Sequence, residues 1–218
     1  VTEAVATILV LAGTNGCGKS SIAGARLRAQ GATYFNPDEV VLELLADSPG
    51  LSLQEAQSRV WKLGRDGLET AISKRESFAF ETTLGGRTMT RLLHKAIDAG
   101  LHVRVWYAGL ESPELHIARV AQRVAKGGHD IPVDRIRERY NSSLLNLAGL
   151  VPRLYELHLY DNSEEHDPAL GNAPQPRLLL HLENGHIESP RPEELAATPE
   201  WAKPIVVQAL EVDRASTE

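Results

Sequence analysis

The sequence predicts a three-layer α/β fold, a five-stranded parallel sheet covered by helices on both faces. Three observations predict it. Short apolar, β-branched runs alternate with stretches of helical period as far as about residue 160, and such alternation implies crossover connections between parallel strands. The first run, Ala6 to Leu11, leads into a glycine-rich turn beginning at Gly13. Apolar residues make up 42% of the 218 residues and charged residues 24%, the balance of a globular chain long enough to bury one sizeable core.

Ala6 to Leu11 (ATILVL) reads as a buried strand by length and branching. Ser20 to Gln30 follows as a helix. Ala32 to Phe35 is a second strand, closed by Asn36-Pro37 as strand end and helix start. Ser52-Leu-Gln-Glu55 is a capping box. It opens a long helix in which Ala56, Val60, Leu63, Gly64, Gly67, Leu68 and Ala71 keep a helical period. Ser77 to Phe80 is a third strand. Met89, Leu92, Leu93, Ala96 and Ile97 mark a helix stopped by Gly100, and Leu101 to Ala108 is a fourth strand. Ser112 and Pro113 supply an N-cap and a first-turn proline for a helix to about Lys126. A loop over residues 127–132 precedes a helix reaching about Leu150, and Tyr155 to Tyr160 is a fifth strand. The expected strand order is 2-3-1-4-5. Arg177 to Ile187 reads as a hairpin turning at Asn184-Gly185, and Ile205 to Val212 as a helix. The expected division is a main domain over residues 1–170 and an acidic hairpin-and-helix appendage over 171–218.

Charge and composition exclude several classes. The net charge of −6 argues against generic binding to nucleic acid or to an anionic membrane. Between Glu183 and Glu218 eight acidic side chains face three basic ones, whereas Arg119 to Arg139 carries six Lys/Arg against three acids. No run approaches the ~20 apolar residues of a membrane helix, and the first residues carry no signal-peptide pattern. The single cysteine, Cys17, excludes an intramolecular disulfide framework and a Cys-rich zinc site. The expected location is the cytoplasm.

Gly13-Thr-Asn-Gly-Cys-Gly-Lys-Ser20 matches G-x-x-x-x-G-K-[ST] in full. Glycines let the backbone curl so that successive N–H groups point inward, and the following helix aims its positive end at the same point. The candidate nucleotide-binding residues are therefore Gly13, Thr14, Asn15, Gly16, Cys17, Gly18, Lys19, Ser20 and Ser21. Lys19 reaches the β/γ-phosphates and the Ser20 hydroxyl binds Mg²⁺. The expected cofactors are ATP, with GTP as the alternative, and Mg²⁺. Cys17 either fills a small-residue slot or is a thiol activated at a helix start.

A motor ATPase needs a strand ending in Asp-Glu, but the fourth strand ends Trp106-Tyr-Ala-Gly109. A GTPase needs an Asn-Lys-x-Asp motif, which the chain lacks. A small kinase remains, with an acid near the acceptor and an arginine-bearing lid. Asp38 follows strand two, on the edge where the phosphate loop opens, and could accept the acceptor's hydroxyl proton or simply start a helix. Glu81, Thr82 and Thr83 close strand three as acceptor-binding candidates, and Arg87 lies just beyond them. Arg119/Arg123 and Arg135/Arg139 are i,i+4 pairs of like charge flanking Gly127-Gly128. Bringing them onto a transferring phosphoryl group would relieve their repulsion. His129 either donates to phosphate or caps the loop. Trp61, Trp106 and Trp201 read as packing residues.

The segments AGTNGCGKSS, FNPDEV, SFAFETTLGG, RVAQRVAKGGHDIP and RERYNSSLLNL together resemble the zeta-toxin group of P-loop kinases, over roughly residues 5 to 163. The closer likeness is to its compact chromosomal branch. The resemblance implies a nucleoside-kinase-like P-loop fold and an ATP-dependent phosphotransferase acting on an alcohol group, with UDP-N-acetylglucosamine as the family's acceptor and an antitoxin as a possible partner. By position, Lys19 matches the phosphate lysine, Ser20 the magnesium ligand, Asp38 the catalytic base and Glu81 the acceptor-binding carboxylate. Arg119 or Arg123 matches the first lid arginine. At the second this chain has Gly128-His129, with Arg135, Arg137 and Arg139 further on. The alternatives are a kinase of another nucleoside or metabolite, and a nucleotide-binding regulatory module with little catalysis.

Overall fold

The structure is a computed structural model, and it describes residues 5–20, 22, 34–164 and 176–217. At its centre lies β1 (Thr7–Ala12), parallel to β2 (Phe78–Thr82) on one side and to β3 (His102–Gly109) on the other. β4 (Glu156–Asp161) continues the parallel array beside β3. Phe35 forms an isolated parallel bridge to Phe80, outside β2. The segments therefore lie in the expected order 2-3-1-4-5. Ala32 and Thr33 of the expected second strand, and most of the expected helix from Ser20 to Gln30, fall outside the described residues.

The sheet has six strands rather than the five expected, in the order β2-β1-β3-β4-β5-β6. β5 (Arg177–Glu183) and β6 (His186–Ser189) are the arms of the expected hairpin. Asn184 and Gly185 turn it with φ of 49° and 83°, the positive values a tight two-residue turn needs. β5 runs antiparallel to β4. Periodicity marks a strand but not its neighbour, so the sequence alone left the hairpin beside the sheet. Pairing covers the β4 edge that would otherwise be exposed.

The helices follow their caps. Asn36 accepts from the Asp38 N–H at the start of α1 (Pro37–Asp47). The capping box between Ser52 and Glu55 opens α2 (Leu53–Lys74). α3 (Arg87–Asp98) ends just before Gly100, whose φ is 81°. Ser112 caps α4 (Pro113–Ala125), and α5 (Val133–Leu150) returns across the sheet. α6 (Lys203–Thr217) closes the chain.

On β3 the side chains alternate. Val103, Val105 and Tyr107 are buried, and His102, Arg104 and Trp106 are only partly so. The buried set meets α3, α5 and α6 in one core that runs from Ile8 through Leu157 to Leu180, Ile205 and Ala209. Trp201 packs so closely on Gly109 that a Cβ there would lie 2.3 Å from the indole. Among the described residues, no helix is long and apolar enough to cross a membrane. Because β5 and α6 share the core of β1, β3 and β4, a chain cut after Ser163 is expected to lose cooperative thermal unfolding by circular dichroism. A variant shortened only beyond Thr217 is expected to keep it.

Candidate active site

Parallel strands deliver their carboxyl ends to one edge, where open α/β sheets place ligands. Here that edge gathers the turn after β1, the end of β2 with the Thr83–Gly85 segment that follows it, and the loops after β3 and β4. The turn after β1 is a preformed coil. Gly13 has φ of 138°, and a Cβ there would stand 2.2 Å from the Ala108 carbonyl oxygen. Gly18 has φ of 88°, and its Cβ would stand 2.7 Å from the Asn162 amide nitrogen. Only glycine fits either position. The coil is held from three sides. Asn162 Nδ2 donates to the Cys17 carbonyl at 2.9 Å. His116 Nδ1 lies 2.8 Å from the Asn15 carbonyl, and Arg139 donates to Asn15 Oδ1 at 2.9 Å.

Lys19 is 9% exposed and stands 3.7 Å from Glu81 Oε1. Ser20 Oγ donates to Glu81 Oε2 at 2.9 Å. Burial opposes the Lys19 charge and the nearby Glu81 and Asp38 carboxylates favour it, and the pKa stands above the ordinary lysine value. Burial also pushes the Cys17 thiol up. The thiol is therefore neutral near pH 7, and the carboxylates supply the stabilising field. Cys17 is fully buried, as a packing residue is. Glu81, expected as an acceptor-binding carboxylate, bonds to Ser20 and pairs with Lys19 while also lining the cleft over the phosphate loop.

A cleft of about 1030 Å³ opens over this loop. Lys19, Ser20, Asp38, Glu81, Thr82, Thr83, Arg119, Arg123, His129 and Arg139 all line it, as do Arg135 and Trp61. Among the described residues, Gly13, Thr14, Cys17 and Arg87 are not part of this lining, Arg87 being exposed at the start of α3, and Ser21 lies outside the described residues. Asp38 sits in the first turn of α1 and is exposed. Its charge is felt at both Lys19 and Arg139.

The arginines come from the two helices expected to carry them. Arg123 donates to the His129 carbonyl at 3.2 Å, and its Nε is buried with no partner among the described residues. Arg119 donates to the Glu164 carbonyl at 3.2 Å. Burial and then Arg135 pull the Arg139 pKa below the usual arginine value, a strain that an anion in the cleft relieves. α5 is fixed to the sheet edge by Ser143, which donates to the Thr83 carbonyl at 2.7 Å, and by Asn146, which donates to the Leu84 carbonyl at 2.7 Å.

The sequence did not single out His116 or Asn162 as supports of the loop. His116 had a signal: it shares a helical stripe with Arg119 and Arg123, at i, i+3 and i+7. Asn162 had none beyond its place at the end of β4.

Residues 3–165 match the Zeta toxin family, and the chain belongs to it. An uncharacterized protein of Haemophilus influenzae is 29% identical over 133 residues, covering 59% of this chain and 88% of that protein. Among solved structures, the AvrRxo1-ORF1:-ORF2 complex with ATP aligns at a TM-score of 0.64 and 18% identity, over 89% of this chain and 64% of that one. This chain thus spans less than two thirds of that relative's length. The PezAT chromosomal toxin–antitoxin system of Streptococcus pneumoniae aligns at 0.52 and 15% identity, over 79% of this chain and 75% of that one. These likenesses show the fold.

Burial pulls the His116 pKa down to about 4, helped by Lys19 and Arg119 and opposed by the bond to Asn15. Between about pH 6.5, where an unfolded histidine titrates, and pH 4, the unfolded chain binds a proton that the folded one refuses. Stability from this group is therefore complete above pH 6.5 and lost as pH falls toward 4, by at most ~3 kcal/mol. His116→Gln is expected to flatten that part of the stability–pH curve, measured by urea unfolding from pH 4 to 7.

Proposed function

We propose that the protein is an ATP-dependent small-molecule kinase that transfers the γ-phosphoryl group to a hydroxyl of a sugar nucleotide, of the UDP-N-acetylglucosamine kind, or of a related metabolite. The observation that carries this proposal is the joint opening of the phosphate loop, Asp38 and four lid-side arginines into one cleft. A bare nucleotide-binding module needs the loop. It does not need a carboxylate across the cleft from it.

The triphosphate lies in the coil, with Lys19 at its β/γ end. Ser20 Oγ and Glu81 Oε2 are hard oxygen donors 2.9 Å apart, a set that suits Mg²⁺. When bound there, Mg²⁺ neutralises charge between the β- and γ-phosphates. Asp38 accepts the proton as the acceptor oxygen attacks the γ-phosphorus. The bond from that phosphorus to the β–γ bridging oxygen breaks, and ADP leaves. Arg119, Arg123 and Arg139 hold the charge that spreads over the equatorial oxygens. Toxin–antitoxin relatives with this fold support an antitoxin as a protein partner.

Lys19→Ala is expected to abolish stabilisation by ATP and Mg²⁺ in thermal melts; unchanged melting would remove the coil from nucleotide binding. Asp38→Asn is expected to lower phosphoryl transfer by about 10²–10⁴-fold, read with labelled ATP in a metabolite extract, with ATP affinity within about twofold. Equal loss of both would make Asp38 a structural acid. Slow ATP turnover indifferent to Asp38 across all acceptors would favour the regulatory module.

A further inference from the structure

Where Val103 and Val105 of β3 turn apolar side chains into the core, Tyr107 turns a phenol. It is 2% exposed. A phenylalanine would fill the same space, and a buried hydroxyl costs stability unless it is bonded. The Tyr107 hydroxyl is bonded twice. It lies 2.9 Å from Ser143 Oγ of α5, and the Thr14 hydroxyl of the phosphate loop is its second partner. Ser143 gives its one hydroxyl proton to the Thr83 carbonyl at 2.7 Å, so Tyr107 donates to Ser143 and accepts from Thr14. Burial pushes the Tyr107 pKa up, and the phenol keeps the proton that this direction requires. Thr14 and Ser143 are buried as completely as Tyr107. Thr14 Oγ1 also donates to the Arg139 carbonyl, at 3.4 Å.

This chain of hydroxyls joins the segments that bound the cleft on its phosphate side. Thr14 precedes Asn15 in the phosphate loop, and Thr83 lines the cleft after β2. Ser143 lies one helical turn beyond Arg139, on the same face of α5. Arg139 reaches the loop by its side chain as well, donating to Asn15 Oδ1 at 2.9 Å. Gly85 leaves α5 room to approach, since a Cβ there would stand 3.2 Å from Arg139 Cγ. Glycine permits that approach but does not set its depth. The hydroxyl chain does, because a shift of α5 against the loop would leave a buried polar group unpaired.

We propose that Tyr107 is a positioning residue which, through Thr14 and Ser143, holds Arg139 at a fixed distance from the phosphate loop, so that this arginine meets the terminal phosphate of a bound nucleoside triphosphate. The proposal rests on the kinase proposal above, and the two fail separately in the following experiment. The full chain is titrated by calorimetry, in the presence of Mg²⁺, with ADP and with a non-hydrolysable ATP analogue. The ratio of the two affinities reads the contact with the terminal phosphate. Arg139→Ala is expected to lower that ratio about tenfold or more. Tyr107→Phe keeps the ring and is expected to lower the ratio about threefold or more, with ADP affinity within about twofold of the wild type. In the Arg139→Ala background, Tyr107→Phe is expected to lower the ratio no further, as residues that act through one another are not additive. Ser143→Ala breaks the same chain from α5 and carries the test if Tyr107→Phe does not fold. An unchanged ratio in Tyr107→Phe overturns the proposal, as does equal loss of ADP and analogue binding, which is what a merely structural role gives. An undiminished effect in the Arg139→Ala background overturns it too, as does an Arg139→Ala variant with the wild-type ratio or a wild type with no preference for the analogue. Failure of the analogue to bind the wild type at all overturns the kinase proposal instead.

Discussion

The site depends on the fit of a glycine coil beneath the ends of β3 and β4. Gly13 lies under the Ala108 carbonyl, and Gly18 lies against Asn162. These contacts fix the curl of the main chain from outside. His116 and Arg139 hold Asn15 from α4 and α5, the helices that also bring the lid arginines. The geometry of the loop and the geometry of the arginines are thus set by the same two helices.

Local chemistry made much of this legible. The Ser52 capping box, the Ser112-Pro113 helix start, the Asn184-Gly185 turn and the phosphate-loop glycines each need specific residue types at specific spacing, and each is found where the sequence places it. Asp38 and the arginine pairs were found because charges that repel or stand alone ask for a reason. What stayed hidden was pairing across long separations. Nothing in Arg177 to Glu183 states that it lies beside β4, 156–161. Nothing in Asn162 states that its amide meets Cys17, 145 positions earlier. The direction of the Glu81 carboxylate is of the same kind, since a strand fixes where a side chain starts and its neighbours fix where it points.

That direction bears on how the charge of Lys19 is balanced. Lys19 is nearly buried, and a buried ammonium without a counter-charge is costly. The phosphate loop carries no acid of its own, and Cys17 is a neutral thiol near pH 7. Glu81 supplies the counter-charge from the adjacent strand, and it also occupies the Ser20 hydroxyl.

The two walls of the cleft follow different physics. On the phosphate side, cations from three elements crowd a small volume. Burial first and then the neighbouring Arg135 lower the Arg139 pKa, and a dense anion would offset both. Charge alone does not tell one phosphorylated metabolite from another. On the opposite side Phe35, Val60, Trp61 and Gly64 offer the cleft an apolar surface. Asp38 stands at the start of α1, on the seam between the two walls. In the proposed reaction a hydroxyl would reach Asp38 with the rest of its molecule against the apolar wall.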